Sequence, residues 1–207
     1  MSQEILTAFF TLFVVIDPIG LAPLYVALTH GADARHRRGI ALRACLVAFA
    51  VLTLFTFLGE TVLGFAGISM PAFRIAGGVL LFLTALDMLF ERRSKRRKGQ
   101  ADEAGEDDRE DPSVFPIAIP LIAGPGSIAT MILLAGQSSD AWGMAAVLGV
   151  MVAVLLIVLA FFLSAGLIER ALGKVGINVV TRLLGMLLAA LSVQFVLDGL
   201  RAVGFGG

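Results

Sequence analysis

The chain has one cysteine, one tryptophan, one tyrosine and two histidines in 207 residues, and only 15% of it is charged. The single cysteine, Cys45, sits in an apolar stretch, which excludes an intramolecular disulfide, a CxxC redox relay and a thiolate-held zinc or iron–sulfur centre. The two histidines, His30 and His36, cannot furnish an HExxH site, a His-rich metal centre or a haem with two His ligands. No GxxxxGK[ST] stretch is present to drive work with ATP. Sixteen Lys+Arg balance sixteen Asp+Glu, so no basic excess points to nucleic acid. No metal, cofactor or enzymatic activity is expected. What is abundant is apolar: 58% hydrophobic residues and a mean hydropathy of +0.93, outside the soluble globular range. The composition predicts an all-α integral membrane protein.

About 20 apolar residues cross ~30 Å of hydrocarbon. Six such runs occur, at roughly 5–29, 40–63, 71–90, 114–136, 143–167 and 177–201. The stretches 112–139 and 141–168 contain no Asp, Glu, Lys or Arg. The first span is unusual, with Asp17 at its midpoint followed by Pro18, Gly20 and Pro23. An ionised Asp at a helix centre costs ~2.5–3.5 kcal/mol on insertion scales, so its presence asks for a purpose. The N-terminus lacks the basic region of a signal peptide, and the first span is expected to be retained.

Basic residues cluster in alternate connections. Arg35, Arg37, Arg38 and Arg43 lie between spans one and two, seven more lie between three and four, and Arg170 and Lys174 between five and six. The positive-inside rule places these connections in the cytoplasm and both termini outside. The stretch 91–113, a basic block followed by an acidic one, has too little apolar material to bury a core and reads as a disordered cytoplasmic linker. It divides the membrane domain into a first three-span unit at 1–90 and a second at 114–207.

Those units are related. Glu60, Leu63, Gly64, Gly67 and Ile68 recur as Glu169, Leu172, Gly173, Gly176 and Ile177, each pair 109 residues apart. Arg74 and Gly77 recur as Arg182 and Gly185 at 108, and Pro18 matches Pro125 at 107. Three spans is an odd number, so a duplicated unit enters the membrane upside down, the inverted-repeat plan of many secondary transporters. Each half can set a Glu beside an Arg, Glu60 with Arg74 and Glu169 with Arg182. These are either structural ion pairs or inner and outer gates.

Asp17-Pro18-Ile19-Gly20-Leu21-Ala22-Pro23 in span one and Ile119 to Ser127 in span four are predicted to break their helices near the midplane. Proline removes a donor and clashes with the preceding turn, so the hydrogen-bond ladder should open. Breaks in corresponding positions of two halves point to a binding site between them. Pro125 suits the first position of a half-helix, so the N–H groups of Gly126, Ser127 and Ile128 should converge on an anionic group. Asp17 offers the opposite charge, and Gly124 and its small neighbours leave room for a small zwitterion. Three readings of Asp17 stay open: a helix N-cap serving Gly20 or its neighbour, a cap that also contacts a solute or ion, or a dedicated proton carrier. Ser127 and Thr130 either bond back to helix carbonyls or touch a ligand. Ser192 and Gln194 are expected to hydrogen-bond between helices. Gly77-Gly78 and Gly143-x5-Gly149 suit close packing within the protein or in a homo-oligomer.

FFTLFVVIDPIGLAPLYVALT, GISMPAFRIAGGVLLFLTALDML and FPIAIPLIAGPGSIATMILLA resemble the three signature stretches of the MarC family of six-span bacterial inner-membrane proteins. That family is grouped with the LysE-type exporter superfamily. The resemblance spans nearly the whole chain and implies a transporter, since members have been described as carriers of small neutral amino acids such as glycine and alanine. The expected function is therefore a secondary carrier working by alternating access, with a proton or sodium as coupling partner. Competing expectations are a structural or lipid-interacting membrane protein and an exporter of another small solute or a metal ion. An intramembrane hydrolase using Ser127 would lack a base, because both histidines sit beyond the end of span one.

Overall fold

The computed structural model describes residues 2–90, 92, 111–138 and 140–205, without the side chains of Ser2 and Glu169. The linker expected at 91–113 therefore lies outside the described residues apart from Arg92 and 111–113. Among the described residues the chain is helical and has no strand. In order come α1 (Ser2–Ile16), α2 (Pro18–Leu28), α3 (Ala34–Phe65), α4 (Met70–Leu89), α5 (Ser113–Ile122), α6 (Pro125–Ala135), α7 (Ala141–Leu163) and α8 (Ala165–Ala202).

Five stretches are long and apolar enough to cross a membrane: Gln3–Leu28, Ala34–Phe65, Met70–Leu89, Ala141–Leu163 and Arg170–Ala202. The pair α5 and α6, bent by 57°, makes a sixth when taken as one span. Side chains such as Leu46, Phe57, Leu156 and Leu187 are exposed on the outside of the bundle, a surface that would aggregate in water and that lipid covers.

Local chemistry sets the helix ends. Asp33, Ser69 and Asp140 each cap a helix by accepting from the N–H three residues on, at His36, Ala72 and Gly143. The α3 helix stops at Gly67, whose φ of +71° turns the chain so that the Ile68 N–H reaches the Leu63 carbonyl at 2.9 Å, a C-terminal cap that favours glycine. Span five ends earlier than expected, at Leu163, and Gly173 interrupts α8 with φ 61° and ψ 175°. In α5 the residues before Pro116 and Pro120, namely Phe115 and Ile119, are extended rather than helical, as the proline ring demands of its predecessor. Both of those X-Pro bonds are cis.

Packing relies on small residues. A Cβ on Gly78 of α4 would come within 2.7 Å of Val196 and 2.8 Å of the Ser192 carbonyl on α8, so these two helices touch along their backbones. Gly77 faces Leu133 of α6 in the same way, at 2.8 Å. Both glycines of that pair are thus used inside the protein, whereas Gly149 faces open space. The helix-to-helix bonds expected of span six are instead local: the Ser192 hydroxyl donates to Ala189 O at 2.7 Å and Gln194 Nε2 donates to Asp198 at 2.8 Å. Both partners lie within the same helix, about one turn away.

The turns sort to two ends. Glu4, Gln137, Asp140 and Trp142 line one cavity, Gly136 lies against Met70, and Gly199 against Pro71 and Ile75. Both chain ends therefore share one end of the bundle with the α3–α4 and α6–α7 turns. At the other end, Tyr25, Arg37 and Arg170 line a second cavity, and Arg43 pairs with Asp111 at 2.6 Å.

Candidate functional site

The two unusual segments meet inside the bundle. Asp17 stands between α1 and α2 with φ 58° and ψ 67° and is 1% exposed. It is the one non-glycine residue with positive φ among the described residues. Asp tolerates the left-handed region better than most residues because its short polar side chain can bond locally. Here the carboxylate accepts from the Gly20 N–H at 3.0 Å, capping α2, with Pro18 in its first turn. A side chain on Gly20 would collide with that carboxylate, its Cβ falling 2.9 Å from Asp17 Cγ.

The ladder opens less than the sequence suggested. The Asp17 N–H still reaches Phe13 O at 2.8 Å, and the Leu21 N–H reaches Asp17 O at 3.0 Å. One left-handed residue displaces the chain without reversing it, so the α-helical bonds resume at once. Pro18 and Pro23 are helix residues of α2, Pro18 buried and Pro23 half-buried.

The second segment is more sharply bent. Gly124 caps α6 in extended conformation (φ −92°, ψ 174°) and Pro125 follows in the first turn. Ser127 is 3% exposed, and its Oγ accepts from the Gly124 N–H at 3.0 Å while donating to Ile122 O at 2.6 Å. That hydroxyl joins the end of α5 to the start of α6. Thr130, fully buried, donates to Gly126 O at 2.8 Å. Both hydroxyls therefore bond back to carbonyls. Of the three N–H groups expected to converge on a ligand, that of Ile128 is taken by Gly124 O at 2.9 Å. It is the first residue of α6 with an acceptor four positions back, and only Gly126 and Ser127 keep first-turn donors without an intrahelical acceptor.

A Cβ built on Gly126 would lie 3.1 Å from Val15 Cγ1 and 3.7 Å from Leu81 Cδ2. The start of α6 is thus pressed against the last turn of α1, two residues before Asp17, with α4 behind it. Ile16, Leu21 and Ala22 share one buried cluster with Ile117, Leu121, Ile122 and Ala123. What results is a buried carboxylate near a half-helix N-terminus, walled by Gly, Ala and branched apolar side chains. Such a site can accept a cationic group at one side and an anionic group at the other.

No salt bridge joins Glu60 to Arg74 among the described residues. The Glu60 carboxylate lies instead at the end of α6, 3.0 Å from the Cβ position of Gly136, and the buried Nε of half-buried Arg74 has no hydrogen-bond partner. In the second half the Glu169 side chain lies outside the described residues, and Arg182 is exposed on α8.

Two features were missed in the sequence. The chain's only tyrosine, Tyr25, stacks on Phe162 of α7 (4.4 Å, 6°) and donates its hydroxyl to Arg37 O at 2.6 Å, fastening α2 to α3 and α7. Its rarity was the available signal. The extended residues before Pro116 and Pro120 were the other, signalled by the repeated Pro-x-x-x-Pro spacing.

A bundle of apolar spans, with one carboxylate buried between two of its helices, defines a multi-pass integral membrane protein. Residues 2–203 match the family described as MarC family integral membrane protein, and the chain belongs to that family. It is 37% identical over 195 residues to a UPF0056 membrane protein of Aquifex aeolicus, covering 94% of this chain and 91% of that one. It is 36% identical over 204 residues to UPF0056 membrane protein YvbG of Bacillus subtilis, covering 98% and 97%. It is 34% identical over 202 residues to UPF0056 inner membrane protein YhgN of Escherichia coli, covering 96% and 97%. No solved structure matches the chain.

Proposed function

We propose that the protein is a secondary carrier of the bacterial inner membrane that moves small neutral amino acids, glycine- or alanine-like, by alternating access. The observation that carries this reading is Asp17: a carboxylate 1% exposed in the middle of an apolar span, beside the first turn of a second proline-led helix. An ionisable group at that depth is costly and marks a solute or ion path more often than a structural need. In this reading Asp17 faces the solute ammonium, and the Gly126 and Ser127 N–H groups face its carboxylate. Pro18, Gly20, Pro23, Gly124, Pro125 and Thr130 shape the site.

The reading includes two inverted three-span repeats, with spans one and four broken and a proton or sodium as coupling ion. The equal lengths of α2 and α6, 11 residues each and both with proline in the first turn, support the duplication. Loops rich in arginine face the cytoplasm and both termini face outward, by the positive-inside rule. Glu60 with Arg74 and Glu169 with Arg182 alternate as gates, and the open face at Gly149 suits a homo-oligomer. A second reading, a non-transporting structural or lipid-interacting protein, is favoured by the engagement of the Asp17 carboxylate, Ser127 and Thr130 in bonds to their own backbone.

The test is uptake of labelled glycine and alanine by proteoliposomes under proton and sodium gradients, comparing the native chain with Asp17→Asn. Asn keeps the capping oxygen and the left-handed backbone, so loss of saturable flux in a folded variant supports solute contact. Equal flux in both returns Asp17 to capping. An absence of flux under every gradient, from folded protein, overturns the amino-acid reading.

A further inference from the structure

At the end of the bundle that carries the α2–α3 and α7–α8 turns lies a cavity of about 310 Å³, separate from the Asp17 site and lined by residues of four helices. Arg37 and Arg38 enter it from the first turns of α3 and Arg170 from α8, and no carboxylate lines it among the described residues. Three like charges around one small space repel one another unless an anion sits among them. Asp33, the cap of α3, accepts the His36 N–H at 2.6 Å and is not among the residues that line the cavity.

Arg37 is not free to swing away. Its guanidinium lies 5.7 Å from the centroid of the Tyr25 ring, within cation–π range. The same ring is held by its stack on Phe162 and its bond to Arg37 O. One cation of the three is therefore pre-positioned by packing. Ala34, at the start of α3, also lines the cavity, so the positive end of a 32-residue helix adds to the field. The Ser164 hydroxyl spends its proton on Ala160 O at 2.6 Å, which leaves the guanidinium N–H groups as the side-chain donors.

We infer that this cavity binds a phosphate group, and that the phosphate belongs to an anionic phospholipid. Planar guanidinium forks match tetrahedral phosphate oxygens and hold them bidentately. The rim argues for lipid as the source: Leu163 and Leu167 are 54% and 69% exposed beside the arginines, an apolar edge along which acyl chains can lie while the headgroup enters. The site is distinct from the general attraction of a basic loop for anionic membranes, because it is a shaped cavity with a fixed arginine.

The test uses the full chain in neutral detergent, with melting temperature followed against added phosphatidylglycerol, phosphatidylcholine and inorganic phosphate. Phosphatidylglycerol should raise the melting temperature along a saturating curve, as any ligand of the folded state does, and phosphatidylcholine should not. Arg170→Gln, at an exposed position that leaves the Tyr25 stack intact, should melt at or slightly above the native chain without lipid, since one of three like charges is gone, and lose most of the lipid-dependent rise. Arg37→Gln also gives up the contact with the Tyr25 ring, so it should melt slightly lower without lipid and lose the same rise, and native mass spectrometry should find fewer retained phosphatidylglycerol molecules on either variant. Equal rises with both lipids, or an unchanged rise in Arg170→Gln, overturn the inference. A saturating rise with inorganic phosphate that phosphatidylglycerol does not match, lost in Arg170→Gln, overturns the lipid source and assigns the cavity to a free phosphate.

Discussion

Asp17 permits a dissection in which three substitutions separate three effects. Its side chain caps α2 through one bond of 3.0 Å in a buried setting, worth ~1 kcal/mol when lost to Ala. Its backbone sits at φ 58°, which costs an ordinary L-residue ~1–2 kcal/mol relative to the right-handed region. Asp17→Ala loses the cap and carries the strain in full, so it should be less stable than Asp17→Asn, which shares its loss of charge, by about 2–3 kcal/mol, roughly a 30- to 150-fold change in the folded-to-unfolded ratio. Asp17→Gly loses the cap but accepts the backbone, and capping glycine costs only a few tenths of a kcal/mol, so it should fall ~1 kcal/mol or less below Asp17→Asn. Asp17→Asn keeps an acceptor and tolerates the left-handed region, and it removes a charge that costs ~2.5–3.5 kcal/mol at a bilayer centre. It should match or exceed the native chain. Reversible unfolding in mixed detergent–SDS micelles, followed by circular dichroism, gives the order. The expectation is Asn at or above Asp, with Gly below Asn and Ala below Gly. An Ala variant within ~0.5 kcal/mol of Asp17→Asn, or a Gly variant below Ala, refutes the assignment of strain and cap.

Tyr25→Phe keeps the Phe162 stack and loses the bond to Arg37 O, so unfolding free energy in the same assay should fall by ~1 kcal/mol. Tyr25→Leu should fall further, by ~0.5–1.5 kcal/mol for the lost ring pair. Gly124→Ala would drive a Cβ to 2.5 Å from Pro120 O, a backbone atom that cannot step aside, and should cost ~1–3 kcal/mol. The control Gly149→Ala meets open space in mid-helix and should be neutral or gain up to ~1 kcal/mol. Burial alone would push the Asp111 carboxyl up, but the Ser113 N–H donated to it at 3.0 Å and the charges of Arg43 and His36 outweigh it and hold the group below the usual carboxylate range. Its contribution is thus present above ~pH 4, where an unfolded Asp ionises, and is lost as pH falls through the lower folded value. Because Arg43 and Asp111 are 52% and 34% exposed, the pair is worth no more than ~0.5 kcal/mol. The gap in unfolding free energy between native and Arg43→Gln should close as pH is lowered from 7 to 3. Cys45 is buried and faces Leu155 O, so maleimide labelling should be slow in the folded protein and complete on denaturation.

The spans were legible because hydrophobic length is set by the bilayer and not by neighbouring helices. The caps were legible for a similar reason: Asp17 with Gly20 and Pro125 at the head of α6 depend on residues three apart or fewer. What was illegible depends on distances between helices. Glu60 and Arg74 lie on separate helices whose offset no spacing encodes, and the carboxylate settled at the end of α6 instead. Ser127 offered a hydroxyl to any of several carbonyls, and only the bend after Ile122 decides which one accepts. Gln194 had a nearer partner in Asp198, one turn along its own helix. The arginine cavity was invisible because Arg37 and Arg170 are 133 residues apart in sequence and are brought together only by the packing around Tyr25.

The proline starts of α2 and α6 have a mechanical meaning. Where a residue has no N–H to give, the rod can pivot without tearing a bond that an ordinary helix would lose. An 11-residue rod is ~16 Å long, so a swing of roughly 10° at the Pro18 pivot carries its far tip by ~3 Å, about the width of a water molecule. The far tip of α2 is the turn that bears Tyr25, fastened to α3 and α7 at the wall of the arginine cavity. A small tilt at the buried carboxylate would in this way be carried to the bundle's rim, and whatever fills that rim would weigh on the lever.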